Sequence, residues 1–330
     1  MSQSITVIIP AYNAEVYICE ALESVIAQTR PPEQIIVVND GSNDRTADLI
    51  YEWKQNNAVP LQLLCQKNQG VSAARNAGIR SAEGDLIAFL DADDLFLSNH
   101  LELLEQAFRR HPHIILCFAD AQHFSERGIV KPSILAETKI NTVAYENQAA
   151  KLRLMYNSAY MSLLPGSYIL PSSTLCSKRA LEQVGLFDET IKNAEDRELW
   201  LRLSRIGTFA YYPFILTQKR IHAKNLSHTQ HPVPFQYYQF RVLQKMLENA
   251  ENLHLTAEEL QYTYRVRAHH VQSLLYTASL YGPRLYIKAC FYFIQRGIFS
   301  SVWNPKHFLR ALVHYRHAAP AEDLWPPRDL

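Results

Sequence analysis

Short apolar runs, each closed by a polar cluster and followed by a helix-length segment, constrain this chain more than any other feature. Thr6–Pro10 is the first run, and Ala14–Gln28 reads as a helix with Ile18, Leu22, Val25 and Ile26 on one side. Ile35–Val38 is a second, β-branched run, followed by a turn and a helical stretch from Arg45 to Gln55. Gly70–Arg80 reads as a further helix, and Leu86–Leu90 and Ile114–Phe118 as strands. Continuous apolar runs separated by helices predict parallel strands buried on both faces. The expected fold is therefore a doubly wound α/β domain, with its ligand site at the carboxyl ends of the strands.

Three polar clusters fall at such ends: Pro10-Ala11-Tyr12-Asn13, Asn39-Asp40-Gly41-Ser42 and Asp91-Ala92-Asp93-Asp94. Residues 120–170 show weaker periodicity and read as a variable, partly looped excursion. Ser172–Tyr212 is a second ordered block, containing the helical stretch Glu195–Arg205. Beyond His231 the chain turns helical and rich in Tyr, Arg and His, with no internal repeat.

With 330 residues, 48% hydrophobic and 20% charged, the chain has the composition of an ordinary globular protein. Its five cysteines are scattered and odd in number, which fits reduced thiols in a cytosolic protein. Met1–Ser4 run straight into an apolar strand, so no secretory leader is expected. No stretch reaches the roughly 18 uninterrupted apolar residues of a spanning helix.

Asp91 and Asp93, one residue apart at a strand end, are expected to project the same way. Hard divalent cations take oxygen ligands, commonly one or two carboxylates completed by substrate phosphates. Acidic turn residues after a strand are equally common without a metal. Gly41 permits a tight turn, and Ser42 to Asp44 are placed to cap the next helix. That leaves Asp40 at the strand tip, able to accept from a base N–H or a ribose hydroxyl. Arg75 lies on a small-residue helix and suits an oxygen-rich ligand or a surface ion pair. Glu195 and Asp196 open a helix, where they favour its dipole; alternatively, Asp196 is a general base for an acceptor hydroxyl.

Together these segments resemble the family 2 glycosyltransferases. The matching stretches are VIIPAYN at 7–13, VVNDGSNDRT at 37–46, NQGVSAARNAG at 68–78, FLDADD at 89–94 and EDRELWLRL at 195–203. The resemblance covers residues 4–225 and implies a GT-A fold: a doubly wound, mixed but mainly parallel sheet flanked by helices. The catalytic domain is expected at 1–225, with a nucleotide-sugar half at 1–120 and an acceptor half at 120–225. A helical, basic, aromatic-rich appendage is expected at 226–330.

The resemblance also implies roles. Pro10, Ala11, Tyr12 and Asp40 hold the nucleotide base, and Arg75 contacts the base or its neighbouring phosphate. Asp91, Ala92 and Asp93 form the DxD segment, with Asp91 near ribose and metal and Asp93 on the metal, either Mn²⁺ or Mg²⁺. Asp196 is the catalytic base. His222 fits a looser pattern in which it approaches the metal or diphosphate, though a plain loop histidine fits as well. Asn39 departs from the family pattern, standing where many relatives have a second Asp. The implied reaction is an inverting transfer from a nucleotide diphosphate donor, by resemblance a UDP-sugar, to a saccharide or lipid-linked acceptor in cell-surface glycan synthesis. Two other classes remain: a nucleotidyltransferase, disfavoured because Pro10–Asn13 is not a Gly-rich phosphate loop, and a sugar-nucleotide-binding scaffold without activity.

From Leu260 to Ala321 there is no Asp or Glu, while eight cations occur, from Arg265 to Arg316. Removing those eight from the formal net charge of +1 leaves the rest of the chain at −7. Aromatics mixed with cations over Leu285–Trp303 fit a segment lying on anionic lipid, which would place the protein at the inner face of the plasma membrane. They fit equally a helical appendage packed on protein. Nucleic acid is disfavoured by the acidic body.

Overall fold

The computed structural model describes residues 3–138, 140, 143–156, 159–222, 225, 232–299, 302 and 304–313. The chain divides into two compact units, the first comprising residues up to Glu189 together with Glu195–His222. Thr190–Ala194 and the residues from Ala223 onward form the second.

The first unit is built on a sheet of eleven strands among the described residues. Strands β1 (Ile5–Ala11), β2 (Gln34–Asp40), β3 (Leu61–Gln66) and β4 (Leu86–Phe89) are mutually parallel, in the order β3-β2-β1-β4. The sheet then continues through β10 (Thr174–Ser177), β6 (Ile114–Ser125) and β11 (Thr208–Arg220). β10 runs antiparallel to both its neighbours, while β6 and β11 are parallel. This is the mixed, mainly parallel arrangement expected from the sequence.

Every residue of β1 is buried, as a strand covered on both faces requires. Ile5, Val7 and Ile9 join one core with Ile18, Leu22 and Val25 of α1 (Ile18–Ile26), Ile50 and Trp53 of α2 (Thr46–Asn56), and Leu101 and Leu104 of α4 (His100–Arg110). Ile18, Ala21, Leu22 and Val25 recur at helical spacing, which gives α1 its buried stripe. The other face carries α3 (Val71–Ser81), whose Gly78 lies against Ile8; a Cβ there would meet Ile8 Cγ2 at 2.4 Å. A ring ladder continues on that face, with Phe89 edge-on to Phe187 and Phe187 edge-on to Trp200 of α7 (Glu195–Leu203).

Several boundaries differ from the sequence expectation. The first helix begins at Ile18 rather than Ala14, because residues 12–17 form the turn at the head of β1. β3 was not expected; it is the edge strand of the sheet, half exposed, and lacks a continuous apolar signature. β6 runs on to Ser125 and pairs with β7 (Gly128–Lys131), and β8 (Glu146–Asn147), β9 (Arg153–Met155) and α5 (Ala159–Leu163) are the ordered parts of the partly looped excursion. β11 passes Tyr212 and Pro213 through a register shift and continues to Arg220.

Among the described residues of the second unit four helices follow: α8 (Pro232–Glu248), α9 (Ala257–Leu280), α10 (Pro283–Gln295) and α11 (Pro305–Val313). Thr256 and Glu259 close a reciprocal capping box at the start of α9. Phe240 and Phe293 meet edge to face inside this unit, as do Tyr237 and Tyr292. Of the pattern following His222, residues 223–224 and 226–227 lie outside the described residues, as do Trp303 and Arg316 of the basic segment.

Candidate functional site

The carboxyl ends of β1, β2 and β4 meet at one edge of the first unit, and their loops are tied together by hydrogen bonds. Ser42 does not cap α2. Its hydroxyl accepts from the Asn13 amide at 3.0 Å, while Asn13 Oδ1 accepts from the Asn43 amide at 2.8 Å. Asp44 accepts from the amide of Thr46 at 3.0 Å, and the Thr46 hydroxyl takes the Ala14 amide at 2.8 Å. Asn13 adopts a left-handed backbone (φ 49°), a conformation Asn tolerates. Pro10 and Ala11 are buried, and Tyr12 stands half exposed at the head of the strand.

Asp40 is buried, with its carboxylate turned towards the loop before α3. It accepts from Gln66 Nε2 at 2.8 Å, from the Gln69 amide at 2.9 Å and from the Gly70 amide at 2.8 Å. The residue thus fixes the entrance of the helix that carries Arg75.

Arg75 is the hub of the site. Its guanidinium is buried and donates Nη2 to Asp91 Oδ1 at 2.8 Å and Nη1 to Glu195 Oε1 at 2.8 Å. Burial opposes its charge, but Asp91 and Glu195 outweigh that and raise its pKa above the usual range. The guanidinium also lies 5.3 Å over the Phe187 ring, and its Nε–H is buried without a partner. Next to it, Asn76 pins residues 185–189, at the start of the connection from α6 (Lys178–Val184) to α7. Its side chain donates to Phe187 O and Glu189 Oε1 and accepts from the Phe187 amide.

Asp91, Asp93 and Asp94 lie in a turn closed by the Asp94 amide on Asp91 O at 2.9 Å. The turn sends their side chains to different partners, so Asp91 and Asp93 do not project alike. Asp91 faces Arg75, whereas Asp93 Oδ2 lies 2.9 Å from His222 Nε2. Asp94 is buried, accepting from Ser172 Oγ at 2.7 Å and the Arg220 amide at 3.0 Å. Burial first, then Asp91, pushes Asp93 up from the usual carboxylate range, with the His222 hydrogen bond working against it. Burial, then Asp93 and Asp91, raises Asp94 further.

The far end of β11 supplies the remaining groups. Arg220 donates Nε to Asp93 O at 3.0 Å and Nη2 to Glu20 at 2.6 Å, with its guanidinium over Tyr17 and Phe124. Tyr17 stacks on His222 at 4.8 Å between centroids. His222 is thereby oriented from two sides.

At the head of α7, Ala194 takes a left-handed backbone (φ 60°), strained for a residue with a Cβ, immediately before Glu195 and Asp196. Asp196 accepts from its neighbour's amide, Arg197 N, at 2.6 Å. Burial and the adjacent Glu195 push its pKa up to about 7, against the pull of the Arg197 amide and Arg75. A carboxylate near that value is suited to accept a proton at neutral pH.

Among the described residues no three His, Cys, Asp or Glu side chains converge as a ready metal cluster. The donors at hand are nonetheless chemically apt. Asp93 and His222 present an oxygen and a nitrogen to one point, and two crowded carboxylates favour a cation. Substrate phosphates would complete such a set for Mg²⁺ or Mn²⁺.

Sequence reasoning overlooked Asp94, Ser172, Arg220, Tyr17 and the second function of Glu195. Asp94 belongs to the DADD run and could have been weighed. Ser172 and Arg220 act over 78 and 126 positions of chain and leave no local signal.

Residues 6–167 match the model of glycosyl transferase family 2. Over 221 residues the chain is 31% identical to an uncharacterized glycosyltransferase of Rickettsia bellii (strain RML369-C), an alignment covering 67% of this chain and 29% of that protein. Uncharacterized glycosyltransferase RP339 of Rickettsia prowazekii (strain Madrid E) is 29% identical over 233 residues, covering 69% and 67%. The chain thus spans under a third of the first relative and two thirds of the second. In structure it is similar to S. aureus TarS 1-349 in complex with UDP-GlcNAc, with a TM-score of 0.59 and 18% identity, covering 91% of this chain and 89% of that one. The fold is GT-A.

Proposed function

We propose, from the premise that residues 6–167 belong to glycosyl transferase family 2, that the protein moves a sugar from a nucleotide diphosphate donor to a saccharide or lipid-linked acceptor. The observation that carries this is the buried Asp91–Arg75–Glu195 bridge. It ties the acidic turn after β4 to the head of α7, so that the diphosphate end of the site and the candidate base are held by one side chain.

The donor is a UDP-sugar, supported by the UDP-GlcNAc held by TarS. Ala11, Tyr12 and the loop fixed by Asp40 enclose the base, and Arg75 holds Asp91 and Glu195 in place beside the donor. Asp93 and His222 would hold a divalent cation, with Asp91 beside them. A bound cation would supply positive charge against the charge developing on the diphosphate. Asp196 takes the acceptor hydroxyl proton as the acceptor oxygen bonds to the anomeric carbon. The bond from that carbon to the phosphate oxygen breaks in the same displacement, and the nucleoside diphosphate leaves. One displacement inverts the anomeric centre.

A panel of nucleotide sugars, assayed for released nucleotide with Mn²⁺ and with chelator, tests the reading. Release from one donor, abolished by chelator, is expected, and NMR of the transferred product should show the opposite anomer. Nucleotide binding without release, even with lipid extract and saccharide acceptors added, would instead establish a scaffold.

A further inference from the structure

The helical unit carries a surface that glycosyl transfer leaves unused. Helix α10 buries Leu285, Tyr286, Ala289, Tyr292 and Phe293 on one side. On the opposite side Ile287, Phe291 and Ile294 are 43%, 61% and 39% exposed, one stripe at helical spacing. Arg284 and Lys288 are exposed on that same side. Helix α11 repeats the pattern, with Leu309, Val313 and Lys306 exposed along one face. The outer face of a helix in a water-soluble protein is ordinarily polar, so an aliphatic and aromatic stripe there calls for a partner.

Charge selects among partners. With no acidic residue between 260 and 321, every formal charge carried by α10 and α11 themselves is positive. A second copy of the chain docked through the same face would set cation against cation. An anionic lipid surface attracts the cations and accepts the apolar stripe beneath its headgroups. Among the described residues no helix is long and apolar enough to cross a membrane. At about 20 Å for its thirteen residues, α10 is instead the size of an interfacial helix.

We infer that α10 docks the protein on an anionic bilayer, with Ile287, Phe291 and Ile294 at the headgroup–acyl boundary and Arg284 and Lys288 on lipid phosphates. This goes beyond the proposed transfer reaction and does not depend on it.

Sedimentation of the full chain with vesicles tests the inference, comparing phosphatidylglycerol–phosphatidylcholine mixtures with pure phosphatidylcholine. Binding is expected only to the anionic vesicles and to weaken with salt. Phe291→Asp, and separately the double change Arg284→Glu and Lys288→Glu, should each reduce partitioning about tenfold. Circular dichroism and melting temperature should be unchanged, since all three side chains are exposed. Binding indifferent to vesicle charge, or no binding, would overturn it. So would concentration-dependent self-association that Phe291→Asp abolishes, which would assign the face to a second copy. Donor hydrolysis in vesicle-free buffer separates a failure here from a failure of the transferase reading.

Discussion

At the scale of single residues, Asp196 makes the sharpest claims. With its pKa near 7 it is half protonated at neutral pH, and only the ionised form can take a proton. Turnover should therefore fall about tenfold per unit as pH drops below 7. Asp196→Asn should lower kcat by about 10²–10⁴ while leaving donor affinity unchanged, as pH–rate profiles and donor titrations would show. Stability follows the opposite sign. A carboxyl whose folded pKa is raised from 3.8 favours folding at low pH, and this contribution is lost as pH rises through 7. Asp196→Asn should thus melt higher than the parent at pH 8, by about 1–2 kcal/mol given its partial burial, and equal it at pH 4. Asp40 makes a different claim. Asp40→Ala strips the acceptor from two backbone amides and one side-chain amide, which should cost about 2–4 kcal/mol in chemical denaturation. The candidates could be picked out from short segments that resemble the family: Asp40, Arg75, Asp91, Asp93 and Asp196 each stand in one. What they touch could not, because Arg75 finds partners 16 and 120 positions away.

At the scale of elements, the sequence was legible where strands are central and opaque where they are short or at an edge. β1, β2 and β4 are covered on both faces, so their apolar runs are unbroken and their positions followed directly. β3 lies at the sheet edge with exposed positions, and its pattern fades accordingly. β7, β8 and β9 span four, two and three residues, too few to establish any period. The second ordered block was expected to close at Tyr212, but β11 crosses Pro213 through a register shift and runs on to Arg220. Small residues let α3 approach the sheet closely, and Gly78 shows the limit of that approach. Gly78→Ala should destabilise by about 1–3 kcal/mol through overpacking on Ile8, measurable by thermal unfolding. Since α3 carries Arg75, the same change should also weaken donor binding.

At the scale of the whole molecule, the chain joins an acidic first part to a cation-rich helical one, and the family match ends at residue 167. The residues of the acidic turn lie inside the match, whereas Glu195, Asp196, Arg220 and His222 lie beyond it. The central claim is that both sets act as one site on a nucleotide sugar. Calorimetric titration of UDP-sugar into the parent protein, Asp93→Ala and Asp196→Asn, each with and without Mn²⁺, tests this most directly. The account predicts metal-dependent binding in the parent, loss of the metal dependence in Asp93→Ala, and parental affinity without turnover in Asp196→Asn. Donor binding indifferent to both Mn²⁺ and Asp93 would contradict it.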